Sequence, residues 1–209
     1  MKNNNTCVSI INKLKMSLED SKLWCKRGHL NLDQSKFIQK LSKEQKPRYC
    51  LETGFCTGRS SLSVIYGNED NIEKFIMVDI NFDYWTDTRE YIEKFESEYS
   101  FYNAINGSST DILNEEFFVK EFPNGIDWFT VDGGHTYDAC YSDMSRGWSR
   151  INSGGVMIVD DYMSGPPNGC PIPAVTKAVD DFAKKEGLSA ERWNCKGKGF
   201  AVFYKEDVK

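Results

Sequence analysis

The run Arg48-Tyr49-Cys50-Leu51-Glu52-Thr53-Gly54-Phe55-Cys56-Thr57-Gly58-Arg59-Ser60-Ser61 constrains this chain more than any other stretch. An apolar segment ends in an acid, glycines punctuate a turn, and small hydroxylated residues come next. That is the pattern of a buried strand feeding a helix. Gly54 and Gly58 let backbone come close to a ligand, and Ser60 and Ser61 fall where a helix's first N–H groups lack internal acceptors. Open α/β sheets hold nucleotide-like ligands at such a connection. No Gly-Lys-Ser/Thr is present after the turn, and Glu52 stands where a phosphate would have to sit. The turn therefore argues against a P-loop and a polyphosphate cradle and better suits a cationic or hydroxylated ligand.

A second strand-like run, Phe75-Ile76-Met77-Val78-Asp79, also ends in an acid. Its spacing from the glycine turn is that at which doubly wound folds place a carboxylate on ribose hydroxyls, which makes Asp79 the expected ribose ligand. Further apolar runs near 100–106, 126–132 and 156–160 each precede a polar, helix-compatible stretch. The alternation predicts an α/β fold with five parallel strands, the first over 48–52 and the second over 75–79. A helix is expected over 174–186, then strands over 189–193 and 199–204 joined by the turn-prone Asn194-Cys195-Lys196-Gly197-Lys198.

Upstream, residues 6–46 are rich in Lys, Ser, Asn and Gln, with scattered apolar positions at Leu18, Leu23, Trp24, Phe37, Ile38 and Leu41. Helices packed outside the sheet are expected there, with no chemistry of their own, and His29 is expected to be structural. A chain of 209 residues suits one sizeable core. The net charge of -5, with no block of basic residues, argues against nucleic-acid or anionic-membrane binding and favours small-molecule substrates. Seven cysteines (Cys7, Cys25, Cys50, Cys56, Cys140, Cys170 and Cys195) form no CxxC pair, and the polar N-terminus lacks a signal-peptide core. With no run approaching a membrane span, a soluble cytoplasmic protein with reduced thiols is expected.

The acid-led glycine turn Glu52-x-Gly54-x-Cys56-x-Gly58 resembles that of class I S-adenosylmethionine-dependent methyltransferases, with Cys56 in place of the usual middle glycine. The similarity continues in order through Asp79, Ile105-Asn106-Gly107-Ser108-Ser109-Thr110-Asp111-Ile112-Leu113 and Ile126-Asp127-Trp128-Phe129-Thr130-Val131-Asp132-Gly133-Gly134-His135, covering about Arg48 to Tyr204. The resemblance implies a Rossmann-like seven-stranded sheet of order 3-2-1-4-5-7-6, last strand antiparallel, helices on both faces. It implies a methyltransferase domain over 47–209 preceded by a helical segment over 1–46. It assigns Glu52, Gly54, Gly58, Ser60, Ser61 and Asp132 to the cofactor's surroundings, Asp79 to the ribose, and Ser108 with Ser109 to the adenine edge.

In the implied order strands four and five are neighbours, ending in Asp132 and in Asp160-Asp161. Neighbouring strands lie about 5 Å apart, so these carboxylates repel unless a proton, a cation or a metal intervenes, and a hard divalent ion such as Mg²⁺ or Ca²⁺ fits best. Such an ion can hold a substrate hydroxyl and lower its pKa. Asp132-Gly133, Val159-Asp160-Asp161-Tyr162 and the later Ala174-Val175-x-x-Ala178-Val179-Asp180-Asp181-Phe182 resemble metal-dependent sugar O-methyltransferases of macrolide and aminocoumarin biosynthesis, whose metal ligands match Asp132, Asp160 and Asp161. Those enzymes place a catalytic Asp two residues after the first ligand, where this chain has Gly134. His135 comes immediately after and is nominated as the base, since an imidazole titrates near neutrality; a loop histidine bonded to backbone or cofactor is the alternative.

The Pro- and Gly-dense loop 163–173 is expected to shape the acceptor pocket. Tyr137, Trp148 and Tyr162 suit either core or pocket. The acceptor is expected to be a sugar or another small hydroxylated molecule such as a catechol, and a homo-oligomer is left open. The competing functions are an NAD-dependent oxidoreductase, disfavoured by Glu52 at the start of the turn, and a non-catalytic nucleoside-binding protein.

Overall fold

The computed structural model describes residues 30–83, 88–166, 169 and 171–206. The expected helices before residue 30, His29, Cys7, Cys25 and Cys170 lie outside the described residues. The chain opens with α1 (Leu32–Gln45), then β1 (Tyr49–Thr53), α2 (Arg59–Asn68), β2 (Lys74–Asp79), α3 (Thr88–Glu98) and β3 (Tyr102–Asn106). The short α4 (Ser109–Ile112) and α5 (Glu115–Glu121) lead to β4 (Ile126–Val131), α6 (Tyr137–Trp148) and β5 (Ile151–Val159). The chain finishes with α7 (Pro173–Glu186), β6 (Glu191–Cys195) and β7 (Lys198–Tyr204).

The strands form one seven-stranded sheet in the order β3-β2-β1-β4-β5-β7-β6, as expected. The first five are parallel, and β7 runs antiparallel to both β5 and β6. Strand side chains alternate between two cores, because successive residues point to opposite faces. Cys50, Phe75, Met77, Val156 and Ile158 face a cluster built with Ile38 and Leu41 of α1, Val64 and Ile65 of α2, and Phe95 of α3. Leu51, Ile76, Val78, Met157 and Val159 face a second, built with Phe118 of α5, Met144 and Trp148 of α6, and Val179 and Phe182 of α7. Trp148 is thus a core residue, in edge contact with Phe182 and Phe203.

Boundaries moved where local chemistry overrode apolar pattern. β5 begins at Ile151, five residues before the apolar run, because Gly154 (φ 79°) and Gly155 carry an irregularity in the β4 pairing between Ile126 and Trp128. β6 and β7 meet in a two-residue turn, Lys196-Gly197, both at positive φ, so the hairpin is tighter than the sequence suggested. Asp127, at the amino end of β4, accepts the Arg48 and Tyr49 N–H groups and the Asn152 side-chain amide. Its oxygens tie strand starts together, so this acid is structural. No helix among the described residues is long and apolar enough to cross a membrane. Cys50, Cys140 and Cys195 are free thiols.

Candidate active site

The remaining acids of interest lie at the opposite, carboxyl edge, because β1 and β2 carry Glu52 and Asp79 at or beside the end of their ladders and β4 and β5 are followed directly by Asp132 and Asp160. Backbone bonds keep these tips in rank: Gly54 N–H donates to Val78, Asp132 N–H to Thr53, and Asp160 N–H to Val131. Gly54 (φ 85°) packs on the next strand tip, where a Cβ would overlap the Asp132 carbonyl oxygen. A Cβ on Gly58 (φ 74°), the N-cap of α2, would press into the Phe55 ring. Both glycines are needed by the protein's own close packing. Cys56 keeps the positive φ (52°) that glycine favours at the middle position of the turn.

Glu52 is almost wholly buried beneath this turn and accepts a hydrogen bond from Ser61 Oγ, which also lies 3.0 Å from the Tyr102 hydroxyl. Burial pushes the Glu52 carboxyl up to about 8, against the opposing pull of Ser61. The folded chain therefore keeps a proton that the unfolded chain loses above its ordinary carboxyl pKa near 4.5. The Glu52 contribution to stability is largest below that value and declines as pH rises toward about 8. Urea unfolding of Glu52→Gln at pH 5.5 and pH 8 tests this. The wild type is expected to lose more stability than the variant over that interval, and equal losses would place the Glu52 proton elsewhere.

Asp79 is partly buried; one oxygen accepts the Phe55 N–H (2.7 Å) and the other the Asn81 N–H (2.8 Å). About half the acceptor positions of a carboxylate stay open, enough for ribose hydroxyls. Ser108 caps α4, and its hydroxyl lies 2.7 Å from Thr110 Oγ1. Arg146 of α6 clamps this loop from below by donating to the Thr110 and Leu113 carbonyls. Ser60 and Ser61 occupy the first turn of α2, both buried.

The loop after β4 turns His135 back over the two acidic strand ends. Its Nε2 lies 3.5 Å from Asp132 Oδ1 and 3.5 Å from Asp161 Oδ2, with the ring about half exposed. Ligand atoms of Asp132, His135 and Asp161 all lie within 4.8 Å of one another. Contact with Asp132 raises the imidazole pKa, burial opposes it, and the charges of Asp132 and Asp161 add to the rise. Asp132 is itself raised, mainly by burial. Asp161 holds a positive φ (59°), which swings its side chain toward the cluster.

Asp160 sits in a different setting from its neighbour. It is buried, its Oδ1 accepts from Gln34 Nε2 at 3.0 Å, and burial followed by the charges of Asp132 and Asp161 drives its pKa well up. Thus the expected trio Asp132, Asp160 and Asp161 gathers at one strand edge, yet the tight cluster contains His135 where Asp160 was expected.

Sequence reasoning missed two contributors. Lys198, at the start of β7, lies 3.8 Å from Asp161 Oδ1, carried there by the antiparallel register that pairs Val159 with Ala201. Gln34, in the first turn of α1, reaches Asp160 across 126 residues of sequence. Only the tertiary pairing brings either to the acids. The aromatics lie elsewhere, Tyr137 donating to Asp181 and Tyr162 to Asp180, both of α7. In the loop 163–173, Met163 N–H donates to Thr176 and Gly165 N–H to Gly197, which ties the loop to α7 and the last hairpin. Pro167, Asn168 and Cys170 of that loop lie outside the described residues.

Residues 51–162 match a family described as "Methyltransferase domain". An uncharacterised protein of Acanthamoeba polyphaga mimivirus is 34% identical over 64 residues, a match spanning 31% of this chain and 29% of that protein. Among solved structures, an O-methyltransferase from Bacillus cereus in complex with S-adenosylhomocysteine superposes with a TM-score of 0.70 at 15% identity, covering 98% of this chain and 93% of that one. The O-methyltransferase TomG of Streptomyces achromogenes, involved in tomaymycin synthesis and solved with S-adenosylmethionine, gives 0.68 at 17% identity over 86% and 82%. The S-adenosylhomocysteine-bound methyltransferase PaMTH1 of Podospora anserina gives 0.64 at 14% identity over 99% and 98%. At such identities the superpositions establish a shared fold.

Proposed function

Because the chain belongs to the methyltransferase-domain family, we propose that it transfers a methyl group from S-adenosylmethionine to a hydroxyl oxygen of a small molecule, with a sugar as the first candidate. The observation that carries this reading is the abutment of two features. Gly54, in the turn expected to receive the cofactor, packs on the carbonyl of Asp132, whose side chain belongs to the acid and histidine cluster. A methyl donor in the turn and a hydroxyl at the cluster would be neighbours.

The two carboxylates fit a hard divalent ion, since oxygens of Asp132 and Asp161 converge within 4.8 Å at a sheet edge, and the His135 imidazole beside them is left to act on the acceptor. Asp132 and Asp161 would hold the ion, with Asp160 behind them. When bound, S-adenosylmethionine supplies an electrophilic methyl group, and the ion supplies charge that acidifies a hydroxyl. His135 takes the acceptor's proton at Nε2, where Asp132 and Asp161 on either side stabilise the imidazolium. The open acceptor positions of Asp79 receive ribose hydroxyls, Ser108 and Ser109 line the adenine edge, and Glu52 with Ser61 braces the turn from beneath.

Two experiments test this. Incubation with S-adenosylmethionine and a panel of sugars, catechols, amines and carboxylic acids is expected to yield an O-methyl ether, identified by mass spectrometry and NMR. Methylation confined to amines or carboxylates would overturn the hydroxyl assignment. Calorimetric titration with Mg²⁺, Ca²⁺ and Mn²⁺ is expected to show binding that Asp161→Asn weakens by about 100-fold or more, beyond the loss caused by removing a merely supporting contact. No ion bound by the wild type would remove the metal from the account.

A further inference from the structure

Gln34 is fully buried, although glutamine is mostly a surface residue. Both ends of its amide are committed. Its Oε1 accepts the Asn31 N–H at 2.9 Å, Asn31 Oδ1 accepts the Gln34 N–H at 2.9 Å, and its Nε2 donates to Asp160 Oδ1 at 3.0 Å. The first two bonds form a capping box at the start of α1. A glutamate closes such a box as well as a glutamine does. Only the amide also supplies a donor, and a glutamate here would set a second carboxylate against Asp160. The oxygen's engagement with Asn31 fixes which way the amide faces, so the NH₂ group is turned to the acid.

The helix that presents Gln34 is itself held. Ile38 and Leu41 sit in the core, Arg59 donates to the Leu30 carbonyl, and Lys196 and Cys195 reach Asp33 from the last hairpin. With one Asp160 oxygen held by Gln34, rotation of the carboxylate is restricted on the side that faces α1. We propose that Gln34 is a positioning residue for the acid site, fixing Asp160, the buried carboxylate behind Asp132 and Asp161, so that the helix before the sheet sets the geometry of the acids that would hold an ion. This rests on the reading of Asp132 and Asp161 as the acids that hold the ion, with Asp160 behind them.

The test compares Gln34→Glu, which keeps the capping box and reverses the group facing Asp160, with Gln34→Met, which keeps the volume and removes both bonds. Mn²⁺ and S-adenosylhomocysteine affinities are measured by calorimetry and the midpoint of unfolding by circular dichroism, with Asp161→Asn as the reference for a lost ligand. Both Gln34 variants are expected to bind Mn²⁺ about 10- to 100-fold more weakly, the range for loss of a supporting contact. Their S-adenosylhomocysteine affinity should stay within about twofold of wild type, and Gln34→Glu should melt near wild type. If Gln34→Met does not fold, Gln34→Glu alone decides. Wild-type Mn²⁺ affinity in a folded Gln34 variant, with Asp161→Asn impaired, would overturn the positioning role while leaving the acid site standing. Absence of Mn²⁺ binding in the wild type would overturn the ion-site reading and this proposal together.

Discussion

Replacing His135 by alanine is expected to lower kcat by about 10²- to 10⁴-fold, the range for loss of a positioned general base. Affinity for S-adenosylhomocysteine should change by no more than about twofold, since the proposed role of His135 is toward the acceptor and not the cofactor. The expectation comes from geometry: one imidazole nitrogen lies 3.5 Å from each of two carboxylates, and the ring is half exposed. Those carboxylates favour the protonated ring, which is the form that abstraction of the acceptor's proton creates. Alanine also removes one potential ion ligand, so Mn²⁺ affinity is to be measured on the same variant. A loss of kcat with retained ion affinity assigns the base. A parallel loss of ion affinity, restored in rate by saturating metal, would make His135 a ligand, and a kcat within a few-fold of wild type would dismiss it from the chemistry.

Gly54→Ala should be the most damaging substitution in the glycine turn. The backbone at φ 85° disfavours any L side chain by about 1–2 kcal/mol. The added Cβ would also overlap the Asp132 carbonyl, which is backbone held in place by the Asp132 to Thr53 hydrogen bond. Together these should destabilise the fold by about 3 kcal/mol or more and lower the melting temperature by about 6–12 °C for a chain of this size. They should also spread β1 from β4 where the glycine turn packs on the Asp132 carbonyl, which on the proposed reading abolishes S-adenosylhomocysteine binding. Gly154→Ala is the control, with a similar φ of 79° but open space around the added methyl, so only the conformational part of about 1 kcal/mol remains. Equal melting of the two variants, with cofactor binding intact in Gly54→Ala, would contradict this picture.

The acids at the sheet's carboxyl edge were legible because they depend on local signals, apolar runs ending in Glu52, Asp79, Asp132 and Asp160 with glycine at the turn, whereas the sheet order came from the family resemblance those motifs carry and the pairing bears it out. Membership in the methyltransferase-domain family sets aside the oxidoreductase alternative. The hidden contributors depend on tertiary pairing. Nothing near Lys198 in sequence ties it to Asp161, and the link exists only because β7 runs antiparallel beside β5. The glutamine of α1 reads locally as one polar residue among many, and its choice over glutamate acquires meaning only opposite Asp160. The reason for Gly54 was likewise only half visible, since its nearest neighbour is the carbonyl of Asp132, a residue distant in sequence. Asp127 shows the converse: an acid on the same strand as Asp132, yet saturated by backbone and Asn152 donors at the opposite edge.

Calorimetric titration with S-adenosylmethionine, S-adenosylhomocysteine and NAD, each with and without Mg²⁺, tests the central claim most directly because it needs no known acceptor. Binding of both sulfur nucleosides with dissociation constants on the order of 1–100 µM, and none of NAD, is expected for a working enzyme of this class. Absence of either sulfur nucleoside from the glycine turn, or a preference for NAD, would contradict the assignment of Glu52, Gly54, Gly58 and Asp79 and the function built on them.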